Sequence, residues 1–153
     1  MRNKKNILIE QLERKLVHFK DAGKVLVPEK GWVNAIRTTL NMTREQLGHK
    51  LDMTKGAIQK IEDREVTGQI SLKKLKDVGD ALDMNLVYGF IPKDGSIQNL
   101  IHLKAEKLAR KIVLRANQTM ILEDQGIHED KIEMAIKELT EEFKREINKA
   151  LWD

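Results

Sequence analysis

In the stretch TKGAIQKIED, Thr54 to Asp63, three polar side chains with long reach recur at helical spacing: Lys55, Gln59 and Lys60. A lysine ammonium can donate to O6 and N7 of guanine, and a glutamine amide can pair with N6 and N7 of adenine. The chemistry this set offers is the reading of base edges in the major groove of duplex DNA. Gly56 stands among them, where glycine costs a helix about 1 kcal/mol. Close approach of the backbone to DNA would offset that cost, and so would a tight fit between helices. Thr43 and Thr54 are of the residue type that caps a helix N-terminus. Such a terminus aims backbone N–H groups and the positive end of the helix dipole at phosphates. Arg44, next to Thr43, is expected to reach the phosphate backbone as well.

Other chemistry finds no support in the residue types. The four histidines, His18, His49, His102 and His128, are scattered, without the H-E-x-x-H spacing of a zinc site. There is no Walker loop, no G-x-S-x-G, and no cysteine to act as nucleophile or zinc ligand. No catalytic residue, metal or cofactor is therefore expected, and the protein reads as a non-enzyme.

The elements that must hold the polar set are short helices. Thr43 with Gln46 forms a capping-box pattern before a helix burying Leu47 and Leu51. Thr54 opens the next, with Ala57, Ile58 and Ile61 inward, and Ser71 a third, with Leu72, Leu75, Val78, Ala81 and Leu82 inside. Before them, Asn6 to Phe19 repeats apolar residues at helical spacing, KVLVPEKG breaks the pattern, and Gly31 to Leu40 reads as a helix presenting Trp32, Ile36 and Leu40. Two helices joined by a tight turn and held by neighbours make a helix-turn-helix arrangement, whose second helix enters the major groove.

LVYGFIP, Leu86 to Pro92, differs. Its aromatic and β-branched content predicts a strand, with Leu86, Tyr88 and Phe90 on one face and Val87 and Ile91 on the other. Such a strand needs a neighbour for its backbone groups. Lys24 to Val27 is one weak candidate, and the same strand of a second subunit is the other. After KDGS, a helix from Ser96 to about Gln125 has the stripe Ile97, Ile101, Ala105, Leu108, Ile112 and Ala116, with Gly126 as terminator. A last helix from about Glu129 carries Ile132, Ile136, Leu139, Phe143, Ile147 and Leu151 at four- and three-residue steps. These two helices are expected to form a hairpin or to meet across a dimer. The fold class is all-α with one short strand. It divides into an N-terminal helix and linker (1–30), a helix-turn-helix domain (31–85), a strand and connector (86–95) and a C-terminal helical region (96–153) for dimerisation or partner binding.

Composition agrees with a helical protein: 41% of residues are apolar, 34% are charged, and there are only two prolines. No apolar run approaches the roughly 18 residues of a membrane span, and MRNKKNILIEQLERK lacks the apolar core of a signal peptide. A cytoplasmic location, with the nucleoid when DNA is bound, is expected. Charge is uneven. Residues 1–115 hold 23 Lys and Arg against 14 Asp and Glu, whereas residues 116–153 hold 5 against 10. A basic body implies a polyanionic partner, and an acidic end a different contact.

The segment TREQLGHKLDMTKGAIQKIEDREVTGQISLKKLKDVGDALDMNL resembles the helix-turn-helix of the phage-repressor (XRE) superfamily, through Thr43, Gln46, Leu47, Leu51, Thr54, Ile58, Ile61, Glu62, Ser71, Leu72, Leu75, Ala81 and Leu82. The resemblance implies base contacts from Lys55, Gln59 and Lys60, and phosphate contacts from Thr43, Arg44 and Thr54. Asp52 stands in the turn where that superfamily usually has glycine, and aspartate tolerates the left-handed conformation.

The flanking pieces GWVNAIRTTLNMTREQLG, ALDMNLVYGFIPKDGSIQNLI, TMILEDQG and the terminal LWD are similar to the family named mobile mystery protein A, over nearly the whole chain. That resemblance implies a bacterial repressor, encoded beside a Fic-domain protein in a toxin–antitoxin-like pair. Fic enzymes are held inactive by a helix carrying S/T-x-x-x-E-G/N, which Thr119 and Glu123 fit and Asp124 does not. The alternative function is accordingly an antitoxin that inhibits a Fic adenylyltransferase through residues 119–124. The plainer reading of Thr119 and Glu123 is a pair four apart on one helix face.

Overall fold

The computed structural model describes residues 4–122 and 128–153, and among these every regular element is helical. They are α1 (Lys4–Leu16), a 3-10 segment (Val17–Lys24), α2 (Gly31–Thr39), α3 (Arg44–Leu51), α4 (Lys55–Thr67), α5 (Leu72–Ala81), α6 (Ile97–Leu122), α7 (Glu129–Glu146) and a closing 3-10 turn (Lys149–Trp152). The chain forms two compact units, a central one over Asp21–Gly89 and a terminal one combining residues up to Lys20 with Phe90–Asp153.

In the central unit, α2 to α5 close around Val33, Leu47, Ile58, Ile61, Val78 and Leu82. Leu47, Ile58 and Val78 are the largest side chains removed entirely from water. Burying each stabilises the fold by roughly 1.5–3 kcal/mol relative to exposure. The helix starts follow local chemistry: Ser71 Oγ accepts from Lys74 N at 3.1 Å, so α5 begins where its cap stands.

The face of α2 matches its periodicity only at Ile36, which packs against the core. Helix α2 turns Val33 and Arg37 inward, and Trp32 and Leu40 stay exposed. Two contacts from α4 impose this. Glu65 accepts from the backbone N–H groups of Trp32 (2.6 Å) and Val33 (2.9 Å), capping the start of α2, and Arg37 meets Glu62. Gly31 enters α2 at φ +85°, and a β-carbon there would lie 2.8 Å from the Glu65 carboxyl carbon.

In the terminal unit, α6 and α7 pack antiparallel. Ala109 faces Ile132 and Ile136, while Ile101 and Ala105 share a cluster with Phe143, Ile147 and Leu151. Helix α1 joins that cluster through Ile9, and Glu13 accepts from Gln98 N at 3.0 Å. In α7, Ile132, Ile136, Leu139 and Phe143 pack inward as its periodicity predicts, and Thr140, outside that stripe, is buried with them; Ile147 and Leu151 follow beyond the end of the helix. In α6 the expected stripe holds at Ile97, Ile101, Ala105 and Leu108 and then fails: Ala109 and Asn117 are buried, whereas Ile112 is 44% exposed and Ala116 also faces out. Steps of four advance about 40° around a helix of 3.6 residues per turn. The contact line therefore crosses α6 obliquely along its i, i+4 ridge rather than following one straight stripe.

The strand expected at Leu86, Val87, Tyr88, Phe90 and Ile91 is absent among the described residues. Lys24 to Val27 does not pair with it, and among the described residues there is no ladder partner that would define a strand. Apart from half-buried Leu86, the segment keeps its apolar side chains largely in water: Val87 is 75%, Tyr88 68% and Phe90 83% exposed.

Candidate nucleic-acid interface

Two capped starts build this surface. Thr43 Oγ1 accepts from Gln46 N (3.1 Å) and Gln46 Oε1 accepts from Thr43 N (2.9 Å), a complete capping box that opens α3. Asp52 then takes the left-handed conformation at φ 52°, ψ 44°, and its N–H returns to Gly48 O. Met53 N also reaches Gly48 O, at 2.8 Å. Gly48 itself cannot be replaced without movement, because a β-carbon there would run into the Met53 carbonyl. Two residues after Asp52, Thr54 Oγ1 accepts from Ala57 N at 3.1 Å and α4 begins. The link between α3 and α4 is thus three residues long, with every turn conformation accounted for by Asp52, Gly48 and Thr54.

Helix α4 has two sharply different sides. Ile58, Ile61 and Glu62 are buried. Lys55, Gly56, Gln59 and Lys60 are all exposed: Gly56 and Lys60 lie opposite Ile58, Gln59 on the flank, and Lys55 at the open first turn. Among the described residues, no hydrogen bond or ion pair occupies the Lys55, Gln59 or Lys60 side chains. Their donors and the glutamine carbonyl are turned to solvent. A β-carbon on Gly56 would meet nothing within 4 Å. Fit between helices therefore does not explain this glycine. Asp63, one turn beyond Gln59 and Lys60, is exposed on the same side and was not singled out from sequence. A carboxylate there could accept from N4 of cytosine.

Arg44 is placed differently from the other candidates. Its Nε donates to Glu62 Oε2 at 3.0 Å, and its Nη2 lies 3.0 Å from the same oxygen. Glu62 is 4% exposed; its Oε1 accepts from Arg37 Nε at 2.6 Å and its Oε2 from Asn34 Nδ2 at 3.2 Å. Arg37 also donates Nη1 to Met42 O at 2.9 Å, just ahead of the Thr43 cap. Burial by itself would raise the Glu62 pKa. Hydrogen bonds from Arg37, Asn34 and Arg44 outweigh it and hold the carboxyl below its ordinary value. One buried carboxylate thereby ties α2, the start of α3 and α4 together. The signal for this was in the sequence: Glu62 lies beside Ile58 and Ile61 on the inner face, where a charge requires partners.

The remaining candidates lie elsewhere. Thr119 is exposed near the end of α6, and its hydroxyl donates to Arg115 O at 3.2 Å, one turn back in the same helix. Glu123 and Asp124 lie outside the described residues. Among the described residues there is no group of three or more acidic or histidine side chains able to hold a metal ion, and no helix long and apolar enough to cross a membrane. Compared with protein-family models, curated proteins and solved structures, the chain matches none.

Proposed function

We propose that the protein is a dimeric, sequence-specific DNA-binding repressor in which α3 and α4 act as a helix-turn-helix. The observation that carries this reading is the outward row of α4, where Lys55, Gln59 and Lys60 are exposed and unpaired around a glycine with open space above it. Ile58, Ile61 and Glu62 lock the other side, so the row is presented by a rigid element. In this reading Lys55, Gln59 and Lys60 meet base edges in the major groove. Thr43, Thr54 and Gly56 bring backbone N–H groups to phosphates. Arg44 reaches a phosphate with the guanidinium N–H groups that Glu62 leaves, from a position Glu62 sets. Two copies then read half-sites one helical turn, about 34 Å, apart.

Support for the dimer comes from Leu86 to Ile91. Val87, Tyr88 and Phe90 are among the most exposed large apolar side chains, and no ladder partner for them exists among the described residues. Pairing of this segment with its copy would satisfy both the backbone groups and the apolar surface. The resemblance to the mobile mystery protein A family extends the reading to an operon partner of Fic type, making this protein the antitoxin-like member. Inhibition of that partner through Thr119 and Glu123 is the second role the resemblance offers.

The test is selection of bound duplexes from a random library, followed by measured affinities for the selected sites. Gln59→Ala and Lys55→Ala should each relax preference at one position of the half-site, at a cost of roughly 1–3 kcal/mol there. Arg44→Ala should weaken all duplexes alike. Unchanged base preference in both α4 variants would overturn the orientation assigned to that helix.

A further inference from the structure

Helix α6 carries five Lys and Arg and a single acid, Glu106. These charges are not used alike. Arg110 is committed: Glu106 lies 3.6 Å away, and Glu133 of α7 accepts from its Nη1 at 2.9 Å. His102 lies 3.7 Å from Glu106. Lys104, Lys107, Lys111 and Arg115 are all exposed, and no described residue forms an ion pair with any of them. Steps of three, four and four residues put them on one face, in a row of about 16 Å at 1.5 Å per residue. Like charges three and four apart weaken a helix, so the row is unfavourable for the chain taken alone.

We propose that this row is a second contact for duplex DNA, one that grips the phosphate backbone without reading sequence. The proposal rests on the DNA-binding reading given above. A strand of B-DNA places one phosphate per 3.4 Å of axis, so a row of about 16 Å spans four or five of them. Lys104, Lys107 and Lys111 edge a hollow of about 370 Å³ floored by Leu108 and Leu151, able to seat a sugar–phosphate ridge. Asp153 is the one acid on that hollow, and it pairs with none of the three lysines. The competing occupant is α7 of a second copy. Its seven carboxylates are interleaved with Lys131, Lys137, Lys144 and Arg145, so it would bring like charges to the row as well. A uniform polyanion fits better.

The decisive experiment uses the full chain with Lys104→Gln, Lys107→Gln, Lys111→Gln and Arg115→Gln combined. Affinities for a selected and an unrelated duplex are measured across roughly 50 to 300 mM salt, where counterion release dominates. The slope of log affinity against log salt should flatten by about 3 to 4, at about 0.9 per lost phosphate contact. Affinity should fall by the same factor for both duplexes, leaving base preference intact. Lys104→Arg, Lys107→Arg and Lys111→Arg together should keep the original slope. Should the fourfold variant fail to fold, each single substitution should still flatten the slope by about 0.9. An unchanged slope in a variant that binds DNA overturns this contact and leaves the α4 reading standing. Unchanged slope with altered self-association in sedimentation overturns it in favour of a second copy. A native protein that binds no duplex removes the α4 reading and this contact together.

Discussion

At Glu62, one carboxylate is expected to contribute to the acid sensitivity of the central unit. Arg37, Asn34 and Arg44 hold it ionised in spite of burial, so its pKa is lower folded than unfolded. A depressed carboxyl contributes stability that is complete above its unfolded pKa and is lost as pH falls through the folded one. Below the ordinary value of 4.5 that contribution should decay. Glu62→Gln should cost about 3 kcal/mol at neutral pH by leaving two guanidinium groups without their anion. The gap in melting temperature between the two proteins should narrow steadily as pH drops below that value. Equal gaps at pH 7 and pH 3 would show that Glu62 is not the group that titrates. Gly56 makes a prediction of opposite sign. With nothing near its β position, Gly56→Ala should raise stability by up to about 1 kcal/mol. If DNA approaches that backbone closely, the same change lowers duplex affinity, so melting and binding data should move in opposite directions.

Among the elements, the caps carry most of what is local. Thr43 and Thr54 each satisfy a backbone N–H that would otherwise be orphaned at the start of α3 and α4. Thr43→Ala and Thr54→Ala should each lower unfolding free energy by about 1 kcal/mol, measured by chemical denaturation. Either threonine replaced by serine should retain most of that. These caps, the capping-box glutamine and the outward row of α4 are legible in sequence because each depends on residues within one helical turn. The left-handed residue between the two helices is legible for the same reason, since Asp52 is of a type that accepts it. The inward turn of Val33 and Arg37 in α2 was not, because Glu65 lies 33 residues from the Trp32 N–H that it caps.

For the molecule as a whole, the exposed run Val87, Tyr88 and Phe90 is where self-association is expected to act. Val87→Asp with Tyr88→Asp should shift the protein to monomer in sedimentation while leaving the helical signal and melting of the chain nearly intact, because those side chains contribute no buried core. Half-site binding should persist, and binding to a paired site should lose its cooperative gain. A variant that stays dimeric would move the interface elsewhere.

By itself the sequence determined the helical class, the start of each of α3, α4 and α5, and which side chains of α4 face outward, since all follow from spacing and capping within a turn or two. Tertiary structure decided the rest. It alone turned Arg37 inward to meet Glu62, drew the contact line obliquely across α6 so that Ala109 is buried and Ile112 is not, and left Leu86 to Ile91 without a ladder partner among the described residues. Each of those depends on where a distant segment comes to lie. The physics of a single turn carries no information about that, because charge pairing and burial are satisfied by proximity in space and not by proximity along the chain.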